Sequence, residues 1–490
     1  MIRIEKLNES YIRVFSDPST EQELSEFFQF EVPGARFTPK FRARLWDGKL
    51  RLYNLQTKTL YSGLKKYVET YAQDKGLPVE AFEEEKTSLS RDDLMGYVNW
   101  LNLHGNGKPI SIRDYQVDAI QKAINDRRVL LLSPTASGKS LIIYTLLRYH
   151  IEHKRKCIII VPTTSLVEQL VSDFKDYSSA NGWNVDKNCQ MLYSGFSKVF
   201  ERNCLVTTWQ SIYKQPQSWF EQFDVAFGDE AHLFKATSLT SVMSKMVNVK
   251  YRVGTTGTID NAKVHSLVLE GIFGPIYKVT TTKQLMETQQ VTDLKITCLM
   301  LKYDDVLRQS MRNAQYQDEM KFITSYEPRN RFIKNLTINC KGNTLVLFQL
   351  VEKHGKIIYE MIKQKSGDRK VFFIYGGTDT EDREQARGIV ETQTDAIIVA
   401  SYGVFSTGIN MPSIENVIFA SPSKSKIRNL QSIGRGLRLK DGKSSCNLYD
   451  ISDDLSWKSK KNHTLNHLVE RLKIYTSEQF NYKIVEVKIE

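Results

Sequence analysis

From about residue 128 to 450, short apolar runs alternate with amphipathic stretches. Val129–Leu132, Cys157–Val161, Val225–Phe227, Leu345–Phe348, Val371–Ile374, Ala396–Ala400 and Val417–Ala420 are apolar or nearly so throughout. Strands of that kind are buried on both faces. Leu141–His150, Leu166–Tyr177 and Ile427–Leu437 read as helices between them. Buried strands alternating with helices predict an α/β fold with parallel sheets covered on both sides. Two such blocks are expected, over 91–290 and 291–455. The polar stretch Leu307–Arg331, rich in Arg, Gln and Asn, is expected to enter the second block as helix. Residues 1–90 carry Pro33, Pro39, short alternating runs and an acidic patch at Glu83–Glu85, and predict a separate small α+β domain. Residues 456–490 predict a basic, helical C-terminal tail that ends in an alternating run from Tyr482 to Ile489.

The length, 490 residues, suits two or three domains, and the 41% apolar fraction suits globular cores. Lys and Arg outnumber Asp and Glu by 68 to 56, a net charge of +12 that suits a polyanionic partner. The cysteines at 157, 189, 204, 298, 340 and 446 form no C-x-x-C pair, which argues for a reducing compartment and against a zinc site. His463 and His467 lie four apart with no partner ligands and read as exposed helix residues. The start is charged, and the apolar runs are too short for a bilayer. A soluble protein of the cytoplasm is expected.

Three clusters carry chemistry. Ser133, Pro134, Thr135, Ala136, Ser137, Gly138, Lys139 and Ser140 follow one predicted strand and open a helix. A phosphate-binding loop needs that context, because backbone N–H groups and the helix N-terminus cradle phosphate oxygens. Lys139 then reaches the terminal phosphates and Ser140 holds Mg²⁺, although Ser133 replaces the usual first glycine. Asp229-Glu230-Ala231-His232 follows a second buried strand, where Asp229 can hold Mg²⁺ and Glu230 can orient an attacking water. Arg435 and Arg438, three apart on a predicted helix, can supply cations to a nucleotide shared between two domains.

Together these motifs resemble the DEAH-box members of helicase superfamily two over about residues 110–450. The resemblance implies two tandem RecA-like lobes that close on ATP and Mg²⁺. By it, Arg113 and Gln116 in Arg113-Asp-Tyr-Gln116 contact the adenine. Thr163 in Pro162–Leu166, and Thr208 and Trp209 in Thr207–Ser211, touch the nucleic-acid backbone. His232, Thr256 and Thr258, with Gln431, couple hydrolysis to movement, though Gly257 stands where alanine is more usual. Within Ala400–Asn410, Ser401 touches the strand and Gly408 the nucleotide. Glu23–Glu31, Arg36–Arg42, Trp46–Leu52, Lys214–Phe220 and Ala400–Gly408 further resemble the UvsW family of tailed-phage recombination helicases, nearly end to end. That resemblance implies a motor on branched or duplex DNA: fork regression, Holliday-junction migration and unwinding of D-loops or of the RNA–DNA hybrid of R-loops.

Asp47-Gly48 between alternating runs predicts a two-residue hairpin. Pairing across it sets Leu45 opposite Leu50 and Ala43 opposite Leu52 on an apolar face. Trp46 with Lys49, Arg44 with Arg51 and Arg42 with Tyr53 form a basic, aromatic face. Arg36 to Lys66 holds nine basic residues and one acid, Asp47. Contact of this face with DNA phosphates is expected, Trp46 stacking on a base. The rival functions are an RNA helicase, the translocase subunit of a restriction-type complex, and a nucleic-acid binding module with no turnover.

Overall fold

The computed structural model describes residues 1–32, 34–193, 199–235, 237–259, 263–406, 413–422 and 445–489. The chain forms two compact units, Met1–Ser133 with Gly138–Thr280, and Pro134–Ser137 with Thr281–Glu490.

The first unit begins with a small sheet of β1 (Ile2–Lys6), β2 (Tyr11–Phe15), β5 (Thr59–Tyr61) and β6 (Val79–Ala81), in the order β5-β2-β1-β6. Alternation decides which face is buried: Ile2 and Ile4 point inward and Arg3 and Glu5 outward. Two helices cover the inner face. Pro18–Phe27 is capped by the Asp17 carboxylate, which accepts from the Thr20 amide at 3.0 Å; Lys65–Asp74 buries Val68 and Ala72. A two-stranded ribbon of β3 (Gln29–Glu31) and β4 (Lys49–Arg51) completes this region.

That ribbon corrects the expected hairpin. β4 pairs with β3, Leu50 opposite Phe30 and Arg51 opposite Gln29, and residues 32–48 are an excursion between them. Thr38 caps a helical turn, Pro39–Arg42, with Pro39 at its first position, so residues 39–42 are not extended. Arg44 adopts a left-handed conformation at φ 57°. Asp47 does not turn a two-residue hairpin. Its carboxylate accepts the Lys49 amide at 3.1 Å and pairs with the Arg51 guanidinium. Leu45, expected on a packed face, is 80% exposed. Tyr53, expected on the basic face, is buried and donates its hydroxyl to the Val14 carbonyl at 2.8 Å.

After a short pair, β7 (His104–Gly105) and β8 (Lys108–Pro109), comes the first large sheet. Its strands are β9 (Arg128–Leu132), β10 (Cys157–Val161), β11 (Cys189–Leu192), β12 (Cys204–Thr208), β13 (Val225–Asp229), β14 (Tyr251–Thr256) and β15 (Ile276–Lys278). They lie in the order β11-β12-β10-β13-β14-β9-β15, all parallel. The small domain shares a continuous core with one face of this sheet. Gly63 and Gly271 allow the approach: a Cβ on Gly63 would meet the Glu270 carbonyl oxygen at 2.0 Å, and one on Gly271 the Tyr61 side chain at 2.8 Å. Arg252, at the start of β14, is buried and donates to Ser10 Oγ at 2.8 Å and to backbone carbonyls at Met243 and Val249.

The second unit has its own seven-stranded sheet: β16 (Asp293–Lys302), β17 (Thr344–Phe348), β18 (Val371–Ile374), β19 (Ile397–Ser401), β20 (Asn416–Phe419), β21 (Ser445–Asp454) and β22 (Tyr482–Lys488). The order is β18-β19-β17-β20-β21-β16-β22, again all parallel. The tail is integral to it. Helix His463–Ser477 leads to β22, which pairs along β16, and Lys302 bridges Asp454 at 2.6 Å and Glu486 at 3.1 Å. The polar stretch after β16 forms three helices, Asp305–Ser310, Tyr316–Ser325 and Glu327–Asn339. The predicted helix Ile427–Leu437 lies outside the described residues.

Among the described residues, two ion pairs are fully buried in this unit. Arg329 grips Asp453 at 2.6 and 3.0 Å, both side chains fully covered, with the Tyr303 hydroxyl on the same carboxylate at 2.7 Å. Arg471 pairs with Asp450 at 2.8 Å, joined by the Tyr475 hydroxyl. Removing one member of such a pair strands a buried charge. Arg329→Ala should therefore destabilise the second unit by about 3–5 kcal/mol, and Arg329→Ala with Asp453→Ala should recover part of that loss. Urea unfolding followed by hydrogen exchange on peptides from β16 and β21 measures both.

Candidate nucleotide and nucleic-acid sites

Parallel pairing brings the C-terminal ends of β13, β14 and β9 side by side, with Asp229 beside Thr255 and Thr256 beside Leu132. The residues singled out for phosphate chemistry follow from these three ends. The Ser133 amide donates to the Thr256 carbonyl at 2.9 Å, pinning the loop to β14 as it leaves β9. Ser137 Oγ donates to the Pro134 carbonyl at 2.6 Å. Ala136 and Gly138 take positive φ of 68° and 81°, and Gly138 caps the helix Lys139–Glu152. A Cβ at Gly138 would meet the amide end of Gln116 at 2.3 Å, and the positive φ is what favours glycine there. The first amides of a helix have no intrahelical acceptor and are free to receive an anion.

Lys139 Nζ lies 3.2 Å from the Ser133 carbonyl, its chain folded back over the loop. Ser140 Oγ is 2.8 Å from the Tyr177 hydroxyl. Gln116 is buried against this loop and accepts the Arg113 amide at 3.0 Å, while the Arg113 guanidinium donates to the Tyr115 hydroxyl at 2.7 Å. The expected adenine contacts thus stand beside the phosphate loop.

Asp229 ends β13 and accepts from Thr255 Oγ1 at 2.7 Å. Burial pushes its carboxyl above the usual range, the neighbouring Glu230 charge adds to this, and the Lys139 ammonium opposes both. Glu230 has φ 50°, and its carboxylate lies 3.3 Å from His232 Nδ1. The same imidazole nitrogen is 3.1 Å from Thr256 Oγ1, and Thr256 Oγ1 donates to the Thr258 carbonyl at 2.9 Å. A chain of polar contacts therefore runs from Glu230 through His232 to Thr256 and Thr258, the residues expected to couple hydrolysis to movement.

Thr163, Thr208 and Trp209 occupy the neighbouring strand ends of the same edge. Val161 pairs with Thr208, so Thr163 and Trp209 follow adjacent strands. Thr163 caps the helix Thr164–Tyr177, Thr208 Oγ1 is 3.0 Å from Ser211 Oγ, and Trp209 packs edge-on to Tyr213. Ser401 ends β19, in register with Phe348 at the end of β17. Gly408, Gln431, Arg435 and Arg438 lie outside the described residues.

In the small domain, Arg42 and Arg44 are exposed with no ion pair among the described residues, whereas Arg51 is neutralised by Asp47. Trp46 is half-buried, its indole N–H donating to the Lys49 carbonyl at 2.8 Å. Phe37, 79% exposed, is the freer aromatic ring of this excursion. Sequence reasoning passed over Phe37, Tyr177 and Thr255. Only the parallel register of β13 with β14 reveals that Thr255 faces Asp229.

Comparison with known proteins settles the family. Residues 2–80 match the model of the N-terminal domain of DNA helicase UvsW, 109–261 that of the type III restriction enzyme res subunit, and 328–440 that of the helicase conserved C-terminal domain. The chain is 36% identical over 501 residues to the ATP-dependent DNA helicase uvsW of Enterobacteria phage T4, covering 98% of each. The chain belongs to the UvsW family of ATP-dependent DNA helicases. The crystal structure of T4 UvsW is similar at 34% identity, with a TM-score of 0.53 over 99% of both chains. Dbp5 of S. cerevisiae bound to RNA and ADP BeF3, 12% identical with a TM-score of 0.53 over 81% of this chain, shares the fold. Among the described residues no helix is long and apolar enough to cross a membrane.

UvsW-family membership implies ATP use, and the Thr255 hydroxyl gives it a measurable pH signature. That donor stabilises the Asp229 anion, so its loss raises a carboxyl that burial already holds high. Thr255→Val should move the acid limb of the ATPase pH–rate profile to higher pH and leave the alkaline limb in place. An acid limb that stays put would show that Asp229 ionisation does not limit turnover.

Proposed function

We propose that this protein is an ATP-dependent DNA helicase that remodels branched DNA in recombination, repair and replication. The observation that carries this reading is the end-to-end likeness to T4 uvsW, N-terminal region included, together with the nucleotide-type cluster on the edge of the first sheet. The motor lobes are residues 91–290 and 291–455, preceded by a DNA-gripping domain over 1–90 and followed by the extension 456–490.

In this reading the loop from Ser133 to Ser140 holds the phosphates, Arg113 and Gln116 the adenine, and Ser140 and Asp229 a magnesium ion. The donor set fits both groups: two hard oxygen ligands suit magnesium, and a glycine-capped helix start with a lysine suits phosphate. Bound ATP supplies the free energy of phosphoryl transfer to water. Glu230 orients that water and takes its proton. His232 holds Glu230 on one side and Thr256 on the other, so a change at the carboxylate is felt at Thr256 and Thr258. Gly408 contributes to the nucleotide site, Gln431 to coupling, and Arg435 and Arg438 stabilise the transferring phosphoryl group. Thr163, Thr208, Trp209 and Ser401 track the DNA backbone.

ATPase rates on matched single-strand, duplex, fork, four-way and RNA substrates test the reading. Strongest stimulation by forks or four-way junctions is expected, and strongest stimulation by single-stranded RNA would favour an RNA helicase. Lys139→Ala and Glu230→Gln should each abolish turnover while DNA affinity stays largely intact. Turnover within about threefold of wild type in either variant would remove its residue from the phosphate chemistry.

Arg42 and Arg44 carry unneutralised charge on the excursion of the small domain. Arg42→Gln with Arg44→Gln should weaken binding to forks and four-way junctions. The slope of log affinity against log salt should fall by about 1 to 2 units, with DNA-free ATPase unchanged. Arg51 is left out because Asp47 already neutralises it. An unchanged slope in the folded double variant would mark this surface as ordinary solvated protein.

A further inference from the structure

The second unit segregates charge around the turn that follows β21. Trp457 and Lys460 exchange backbone hydrogen bonds at 3.1 Å, closing a two-residue turn with Lys458 at φ 52°. Two further bonds fasten this turn to helix Asp305–Ser310 and the residues after it. Arg308 Nε donates to the Ser456 carbonyl at 2.8 Å, and Lys460 Nζ to the Arg312 carbonyl at 3.0 Å. Arg312, Lys458, Lys460 and Lys461 are thus gathered on one exposed surface.

None of these cations has a carboxylate within 4 Å among the described residues. The nearby acids are turned inward and occupied. Glu319 is buried and accepts the His463 and Thr464 amides, at 2.9 and 2.7 Å, and Asn462 Nδ2 at 2.7 Å. Asp453 belongs to Arg329 and Asp454 to Lys302. A shallow depression of about 420 Å³ adjoins Arg312, lined also by Val306, Gln309, Ser310 and Asn313. Val306 is 78% exposed.

Four unneutralised cations on a pinned surface repel one another unless a polyanion lies across them. We propose that this face is an additional DNA-binding surface, taking the sugar-phosphate backbone of the substrate beyond the ends of β16 and β21. The inference rests on the helicase reading and adds to it a contact on the second unit outside every motif read from the sequence. The DNA of the helicase reading is a polyanion complementary to these cations, and the amide side chains of Gln309 and Asn313 add donors beside Arg312.

The test uses the full chain carrying Arg312→Gln, Lys458→Gln and Lys461→Gln. Lys460 is kept because it fastens the turn. Binding of a fluorescent fork DNA is measured across a potassium chloride series, with DNA-free ATPase as the control. Loss of three phosphate contacts should lower the slope of log affinity against log salt by about 2 to 3 units. DNA-free ATPase should not change. A second variant, Arg312→Lys with Lys458→Arg and Lys461→Arg, keeps the charge and should keep the wild-type slope. A glutamine variant that retains wild-type ATPase and the wild-type salt slope would overturn the proposal and leave the face to an acidic protein partner, with the helicase reading intact. A wild-type chain whose ATPase no DNA stimulates would instead remove the helicase reading, and this contact with it.

Discussion

Parallel pairing forces every strand of a sheet to end on the same edge, and the chemistry of this protein is organised by that constraint. In the first sheet the ends of β9, β13 and β14 carry the loop expected to hold phosphate, the acidic pair and the Thr256–Thr258 run. The adjacent ends of β10 and β12 carry Thr163, Thr208 and Trp209. One edge therefore holds both sets of residues, divided between neighbouring strands. Because β10 pairs directly with β13, no flexible linker separates the two groups. A displacement at Asp229 or Glu230 is one strand away from the residues that follow β10.

The same sheet is also the anchor of the small domain. Arg252 opens β14 at the end opposite Thr256, and its guanidinium spends its donors on Ser10 of the small domain and on the carbonyls that frame it. Burial, reinforced by the nearby Arg128 charge, disfavours the protonated guanidinium, and these acceptors offset that cost. Arg128, at the start of β9, pairs with Glu9 at 3.2 Å. Two strands that end in nucleotide-type residues thus begin in contacts to the small domain. With the shared apolar core, and with Gly63 and Gly271 letting backbones meet, the small domain and the first sheet form one mechanical body.

Most of this was legible where the signal is continuous. The apolar runs at Cys157–Val161 and Val371–Ile374 coincide with observed strands at both ends, the first buried throughout and the second half-buried except at Ile374. The placement of Ser133–Ser140 and of Asp229-Glu230 at the ends of buried strands was legible because each follows a continuous apolar run. The small domain was harder. Asp47-Gly48 has the composition of a hairpin turn, but turn chemistry is local and pairing is not. Pro39 and the Thr38 cap withdraw residues 39–42 from any strand, and β4 then takes β3, eighteen or more residues earlier, as its partner. The helical character of the tail was likewise readable, but not that β22 would add to the second sheet beside β16, since a sheet's outer strand leaves little trace of its partner in its own sequence.

Charge shows the same limit more sharply. A net charge of +12 suits a polyanion, yet it does not say where the excess lies. In the small domain the runs around Arg42–Arg51 look uniformly basic, but folding turns Asp47 onto Arg51 and leaves Arg42 and Arg44 with the free charge. In the second unit the opposite happens. Residues 450–463 mix Asp450, Asp453 and Asp454 with Lys458, Lys460 and Lys461 and look nearly balanced. Folding directs the acids inward, to Arg471, Arg329 and Lys302, and leaves the lysines outside. The inward pairing of these acids is therefore also what leaves the surface basic. A carboxylate consumed by a buried arginine no longer screens its neighbours, so losing that arginine would both strand a buried charge and change the field outside.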